Sequence, residues 1–173
     1  MKHIIIRGAR GVGKSTLIRR LLDTVPAKPG GFLTKKAPPD AGGIESIHIY
    51  PADRPQLPTR ENCVGACSAG RLLDRRKDVF DTLGVSYLND TAGKNVLLMD
   101  ELGFMESEAL DFQWAVRNAL DGNLPVIDAV KDKAVPFLEQ VCSHPNVSVW
   151  DITEETRDEL FHDLLPLLQD MIR

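Results

Sequence analysis

The segment Gly8-Ala9-Arg10-Gly11-Val12-Gly13-Lys14-Ser15 sets a lysine and a hydroxyl directly behind three spaced glycines, and Thr16 follows. The pattern is G-x-x-x-x-G-K-[ST], a phosphate-binding loop. Glycines let the main chain curl so that successive N–H groups face one anion, and a helix opening near Lys14 adds the positive end of its dipole. Lys14 is expected to reach the β- and γ-phosphates of a nucleoside triphosphate, and the Ser15 hydroxyl to ligate magnesium. Arg10, at a variable position of the loop, reads as solvated.

Such a site needs a carboxylate at the tip of a neighbouring strand to hold the metal. Val96-Leu97-Leu98-Met99 is an unbroken apolar run ending in Asp100-Glu101, as a strand buried on both faces would end. Asp100 is assigned to magnesium. Glu101 is assigned to orienting or deprotonating the attacking water, a role that contributes about 10²–10⁴-fold to rate. Asp100-Glu101-Leu102-Gly103 also satisfies D-x-x-G, which adds Gly103 to the residues expected at the nucleotide. No N-K-x-D guanine-reading motif is present, Val130-Lys131-Asp132-Lys133 being the nearest approach, so loose base specificity is expected.

Further candidates surround this pair. Glu106 would fall about a turn beyond the strand tip, where it could order the loop of Glu101 or simply sit at a helix start. Asp128 and Lys131 are placed at or just beyond the end of the next strand. Arg76 falls between Leu72 and Phe80 at helical spacing, so it either snorkels or meets an anion, in the second case as an arginine finger on the γ-phosphate, in cis or in trans. Cys63-x3-Cys67 has spacing that could begin a metal site, against the simpler reading of small residues in a loop.

The elements that must position these groups alternate. A β-branched strand from His3 to Arg7 precedes the loop, and Leu17, Ile18, Leu21 and Leu22 mark the helix after it. Seven of the eleven prolines fall between Pro26 and Pro58, which excludes long helices there and leaves short strands at residues 31–34 and 44–50. Residues 71–83 read as a helix, Ala109 to Leu120 as another, Leu124 to Val130 as a strand and Val135 to Val141 as a short helix. Val147 to Trp150 is the last strand, and a final helix follows, capped by Thr153 and kinked at Pro166. The fold class is therefore α/β, a mostly parallel sheet with helices on both faces and inserted short antiparallel strands. Ligands of such sheets sit at the carboxyl ends of the strands.

The 173 residues, 43% of them hydrophobic, suit a single domain spanning 1–173. A net charge of −4 gives no field for generic nucleic-acid or anionic-membrane binding. The apolar run at the N-terminus stops at Arg7, short of a secretory core, and three cysteines do not suggest a disulfide framework, so a cytoplasmic protein is expected.

The chain resembles the THEP1-type nucleoside-triphosphatases. The likeness rests on residues 11–16, on Gly31-Phe32-Leu33-Thr34, on Asp100-Glu101-Leu102-Gly103-Phe104-Met105-Glu106 and on Thr156-Arg157-Asp158. It departs from that family's pattern at Lys35-Lys36 and at Thr156. The resemblance implies magnesium-dependent hydrolysis of ATP, GTP and other nucleoside triphosphates to diphosphate and phosphate. Two other readings stand beside it: a nucleotide or small-molecule kinase, for which residues 51–77 hold acceptor-pocket candidates, and a nucleotide-dependent switch protein. The adjacent Glu101 further favours a sheet with an additional strand between the two motif strands.

Overall fold

The computed structural model describes residues 3–54 and 56–172. Its centre is an eight-stranded sheet in the order β5-β4-β3-β2-β6-β7-β1-β8. Strands β1 (His3–Gly8), β2 (Pro29–Lys36), β6 (Val96–Leu102), β7 (Val126–Lys131) and β8 (Val147–Asp151) are parallel to one another. Strands β3 (Ile44–Pro51), β4 (Cys63–Ser68) and β5 (Arg71–Arg75) extend the β2 edge in antiparallel fashion. The expected additional strand is β7, which lies between β1 and β6.

The apolar runs are explained by burial on both faces. Along β1, Ile4 and Ile6 join one core and Ile5 the other, all with no exposed surface. The first face is covered by α1 (Lys14–Thr24) through Leu17, Ile18 and Leu21, and by α6 (Arg157–Ile172) through Leu160, Phe161, Leu164 and Leu168. The second is covered by residues 77–89, by α4 (Leu110–Asp121) and by α5 (Pro136–Cys142). Residues 77–89 consist of α2 (Lys77–Val79), a π turn (Phe80–Gly84) and α3 (Val85–Asn89). Phe112 holds this layer together, with Phe32 edge-on at 5.3 Å and Phe80 at 5.2 Å. Each such pair is worth about 0.5–1.5 kcal/mol beyond the area it buries. Gly31 adopts φ +85, and a Cβ there would stand 2.1 Å from the Leu98 carbonyl, so only glycine lets β2 lie this close to β6.

Two sequence expectations fail in the insertion. Residues 63–68 are a strand rather than a loop, and residues 71–75 are a strand rather than the first turn of a helix, which starts at Lys77. Ala69 and Gly70, both with positive φ (47 and 79), make the two-residue hairpin turn between them. Cys63, Gly65, Ala66 and Ser68 give β4 none of the β-branched alternation that marks a strand. Leu72 therefore obeys a strand's period of two while Phe80 opens the π turn of a separate helical segment, and their apparent shared helical face does not exist. The final helix begins at Arg157, and Thr153 and Thr156 cap the turn before it reciprocally, N–H to Oγ1 at 3.0 and 3.3 Å. Pro166 lies inside it. Among the described residues no helix is long and apolar enough to cross a membrane.

Candidate active site

The loop after β1 turns into α1 at Gly13, whose φ of +104 is a left-handed conformation that favours glycine. Lys14 follows and is 4% exposed. Its Nζ donates to the carbonyls of Gly8 and Ala9, both at 2.8 Å, and stands 2.9 Å from the Glu101 carboxylate. A lysine so placed is aimed by the main chain.

The next side chain meets the second motif. Ser15 Oγ donates to Asp100 Oδ1 at 2.7 Å. Burial pushes the Asp100 carboxyl above its ordinary range and the negative Glu101 adds to this, while the Ser15 hydrogen bond opposes both. Around Glu101 the β6–β7 ladder skips a residue between Asp100 and Leu102, an irregularity that re-aims the side chain between them. Glu101 is thereby held from two sides, by Lys14 and by Lys131 Nζ at 3.2 Å. Thr34, at the end of β2, donates to the Asp100 carbonyl and accepts from the Glu101 N–H, each at 3.4 Å.

Gly8, Ala9, Arg10, Ser15, Asp100, Glu101 and Gly103 border one cavity of about 360 Å³. Gly11, Gly13 and Thr16 face a neighbouring cleft of about 420 Å³, whose other wall is Arg20, Arg157 and Asp158. Val12 turns its side chain onto the α1–α6 core, which leaves only its main chain for a ligand. The Ser15 hydroxyl and the Asp100 carboxylate, already in contact, are a hard oxygen pair of the kind magnesium prefers.

Three candidates stand elsewhere than expected. Arg76 is not on an apolar helical face. It precedes α2, donates to the Arg60 carbonyl at 2.7 Å, pairs with Asp78 at 3.1 Å, and borders a separate cleft with His48 and Thr59. Asp128 is not at a strand end but within β7, opposite Met99 and Ile5, with no exposed surface and neither carboxylate oxygen hydrogen-bonded. Burial, reinforced by Asp100, Glu101 and Glu106, holds its carboxyl well above the usual carboxylate range. Cys63 and Cys67 lie along β4, and among the described residues no group of three or more metal-ligating side chains forms.

Two expectations are met more closely. Glu106, 3% exposed, accepts the Gly103 N–H at 3.0 Å and so does order the loop beyond Glu101. Burial pushes its carboxyl up to about 7. Lys131 ends β7 and reaches the cavity. Thr34 was not singled out as a site residue, although it closes the glycine-aromatic-threonine block; Arg157 was visible only as part of the Thr156-Arg157-Asp158 likeness.

The sequence profile of the family described as NTPase matches residues 3–165. The chain belongs to the THEP1-type nucleoside-triphosphatase family. It is 30% identical to the nucleoside-triphosphatase THEP1 of Thermotoga petrophila, over 96% of this chain and 92% of that one. It is 25% identical to the human cancer-related nucleoside-triphosphatase, over 97% of each chain. The crystal structure of THEP1 from the hyperthermophile Aquifex aeolicus shares the fold at a TM-score of 0.76, with 23% identity over 96% of this chain and 99% of that one.

Proposed function

We propose that this nucleoside-triphosphate hydrolase requires magnesium, reads the base loosely, and cleaves the β–γ bond to release nucleoside diphosphate and phosphate. The observation that carries this reading is the Ser15–Asp100 contact at 2.7 Å beside the Lys14–Glu101 pair at 2.9 Å, at one end of one loop. Ser15 and Asp100 would hold the metal. Bound there, magnesium would offset the charge on the β- and γ-oxygens.

Lys14 neutralises the bridging region, its ammonium kept in line by the Gly8 and Ala9 carbonyls. An arriving triphosphate competes with Glu101 for that ammonium. The Glu101 carboxylate, released from Lys14 and still beside Lys131, then accepts a hydrogen bond from the attacking water and takes its proton. Catalysis of this type is chiefly positioning and charge.

The rest of the nucleotide follows the loop the other way. Thr16 opens on the 420 Å³ cleft, where Arg157 lies across Gly13: a Cβ at Gly13 would be 3.6 Å from Arg157 Cδ. A guanidinium stacked on a base face accepts any base, because in that position it leaves the hydrogen-bonding edges unread. Loose base specificity follows.

The test is steady-state phosphate release from ATP, GTP, CTP and UTP with magnesium titrated in and then chelated. The four rates should agree within about tenfold, roughly 1.4 kcal/mol, and vanish on chelation. A hundredfold preference for one base, or turnover that survives chelation, refutes the reading.

A further inference from the structure

The cavity at Glu101 is larger than a γ-phosphoryl group and one water require. A water's share of liquid volume is about 30 Å³. The cavity measures about 360 Å³, within the range of small-molecule sites. Its direction matters as much as its size. Ser15 borders this cavity while Thr16 borders the Arg157 cleft, so the two spaces open on different sides of the phosphate loop, and a nucleotide body held in the cleft would leave the cavity free.

Past Glu101 its walls are Ile47, Val64 and Leu72 from the antiparallel strands, faced by Phe80, Phe104 and Met105. Those strands present one continuous surface, because Lys36 pairs with Ile47 and Cys67 with Leu72 in the ladder. Cations rim it. Lys35 and Lys36 stand at the end of β2, the latter 2.6 Å from Glu45, and Lys133 lies 4.8 Å from the centre of the Phe104 ring. Arg10 of the phosphate loop reaches the β4–β5 turn, its Nη1 4.0 Å from where a Cβ of Gly70 would be. The inserted hairpins thus form the far wall of the space beyond the γ-phosphate position.

We propose that this half of the cavity is an acceptor subsite, taking a small molecule with an apolar body, an anionic group and a hydroxyl, to which the γ-phosphoryl group is transferred. The proposal rests on the assignment of Glu101 as the base. The acceptor oxygen forms a bond to the γ-phosphorus as the bond from that phosphorus to the β,γ-bridging oxygen breaks. The diphosphate leaves with the electron pair, and Glu101 takes the hydroxyl proton. Hydrolysis is the same displacement with water in the acceptor's place. The apolar walls select the body, and Lys35, Lys36 and Lys133 select the anionic group.

The experiment supplies γ-labelled ATP and magnesium with hydroxybenzoates, hydroxyphenylacetates and medium-chain hydroxy acids at millimolar concentration. It separates labelled organic product from inorganic phosphate, and it follows the methyl resonances of Ile47, Val64, Leu72 and Met105 in parallel. At least one probe should shift those methyls and divert label into product. Leu72→Trp, which fills the cavity, and Lys36→Ala, which removes a cation from its rim, should each weaken the apparent affinity for that probe about tenfold or more. Inorganic phosphate as the sole labelled product, with or without methyl shifts, overturns the proposal, as does product formation indifferent to both substitutions. A wild-type protein that releases no phosphate when no acceptor is present overturns the hydrolase reading instead, since product from the acceptor is scored separately.

Discussion

Lys14 and Glu101 satisfy each other: the ammonium lies 2.9 Å from the carboxylate. On the proposed assignment a triphosphate that takes Lys14 frees Glu101, so the cation and the base act together. Lys14→Ala should lower turnover by about 10²–10³-fold, the cost of losing one preorganised charge at the transition state. Lys14 is buried rather than a surface helix residue, so the variant should also lose measurable stability, yet remain folded by circular dichroism. Equal turnover by a folded variant removes the phosphate-loop assignment.

Glu101→Gln separates the base from the binding groups. The amide keeps the size and most of the hydrogen bonding, and it removes the charge that competes with the triphosphate for Lys14. Turnover should fall by about 10²–10⁴-fold while nucleotide affinity stays level or tightens. Asp100→Asn should instead weaken magnesium and nucleotide binding together. Titration calorimetry beside phosphate release distinguishes the two, and near-native hydrolysis by Glu101→Gln shows that another residue positions the water.

Arg76→Ala tests what the structure corrected. With its guanidinium tied to the Arg60 carbonyl and Asp78, the residue should contribute about 1 kcal/mol to stability and nothing to turnover. A fall in turnover of about tenfold or more at unchanged stability would restore the arginine finger.

How far the sequence reveals this site depends on whether the signal is local. Gly8 to Ser15 and Val96 to Glu101 carry their chemistry and their strand context within a few residues, and both stand where the reading placed them. Glu106 was legible, as a loop-ordering or a helix-start carboxylate, because it follows the strand tip at short range, and it is both: it accepts the Gly103 N–H from the first turn of the helical segment Met105–Glu108. Arg76 was misplaced because the period changes from two to 3.6 at that residue, after a hairpin turn made by the uncharacteristic pair Ala69-Gly70. Asp128 was misplaced at the strand's end although the strand itself was read as running to Val130: the ladder sets Asp128 opposite Ile5 of β1, three residues before the last pair, Gly8 with Lys131. The Lys131–Glu101 and Thr34–Glu101 contacts join separate strands, and no local pattern encodes them.

Glu106 gives stability a dependence on pH. Its carboxyl is raised from 4.5 to about 7 because it is buried, and the Gly103 N–H and Lys131 only partly offset that burial. In the folded protein it therefore keeps its proton over a range where the unfolded chain has lost it. A raised folded pKa contributes stability that is fully present below the unfolded value and lost as pH rises through the folded one. Wild-type stability should decline between these two values relative to Glu106→Gln, whose amide still accepts the Gly103 N–H and does not ionise. At 1.36 kcal/mol per unit, the difference between the two proteins should change by about 3 kcal/mol across that window and level off above about pH 8. Urea unfolding of both proteins over that range measures it. A difference that does not vary with pH shows that Glu106 titrates as an ordinary carboxylate and that the loop after Glu101 is ordered without a buried proton.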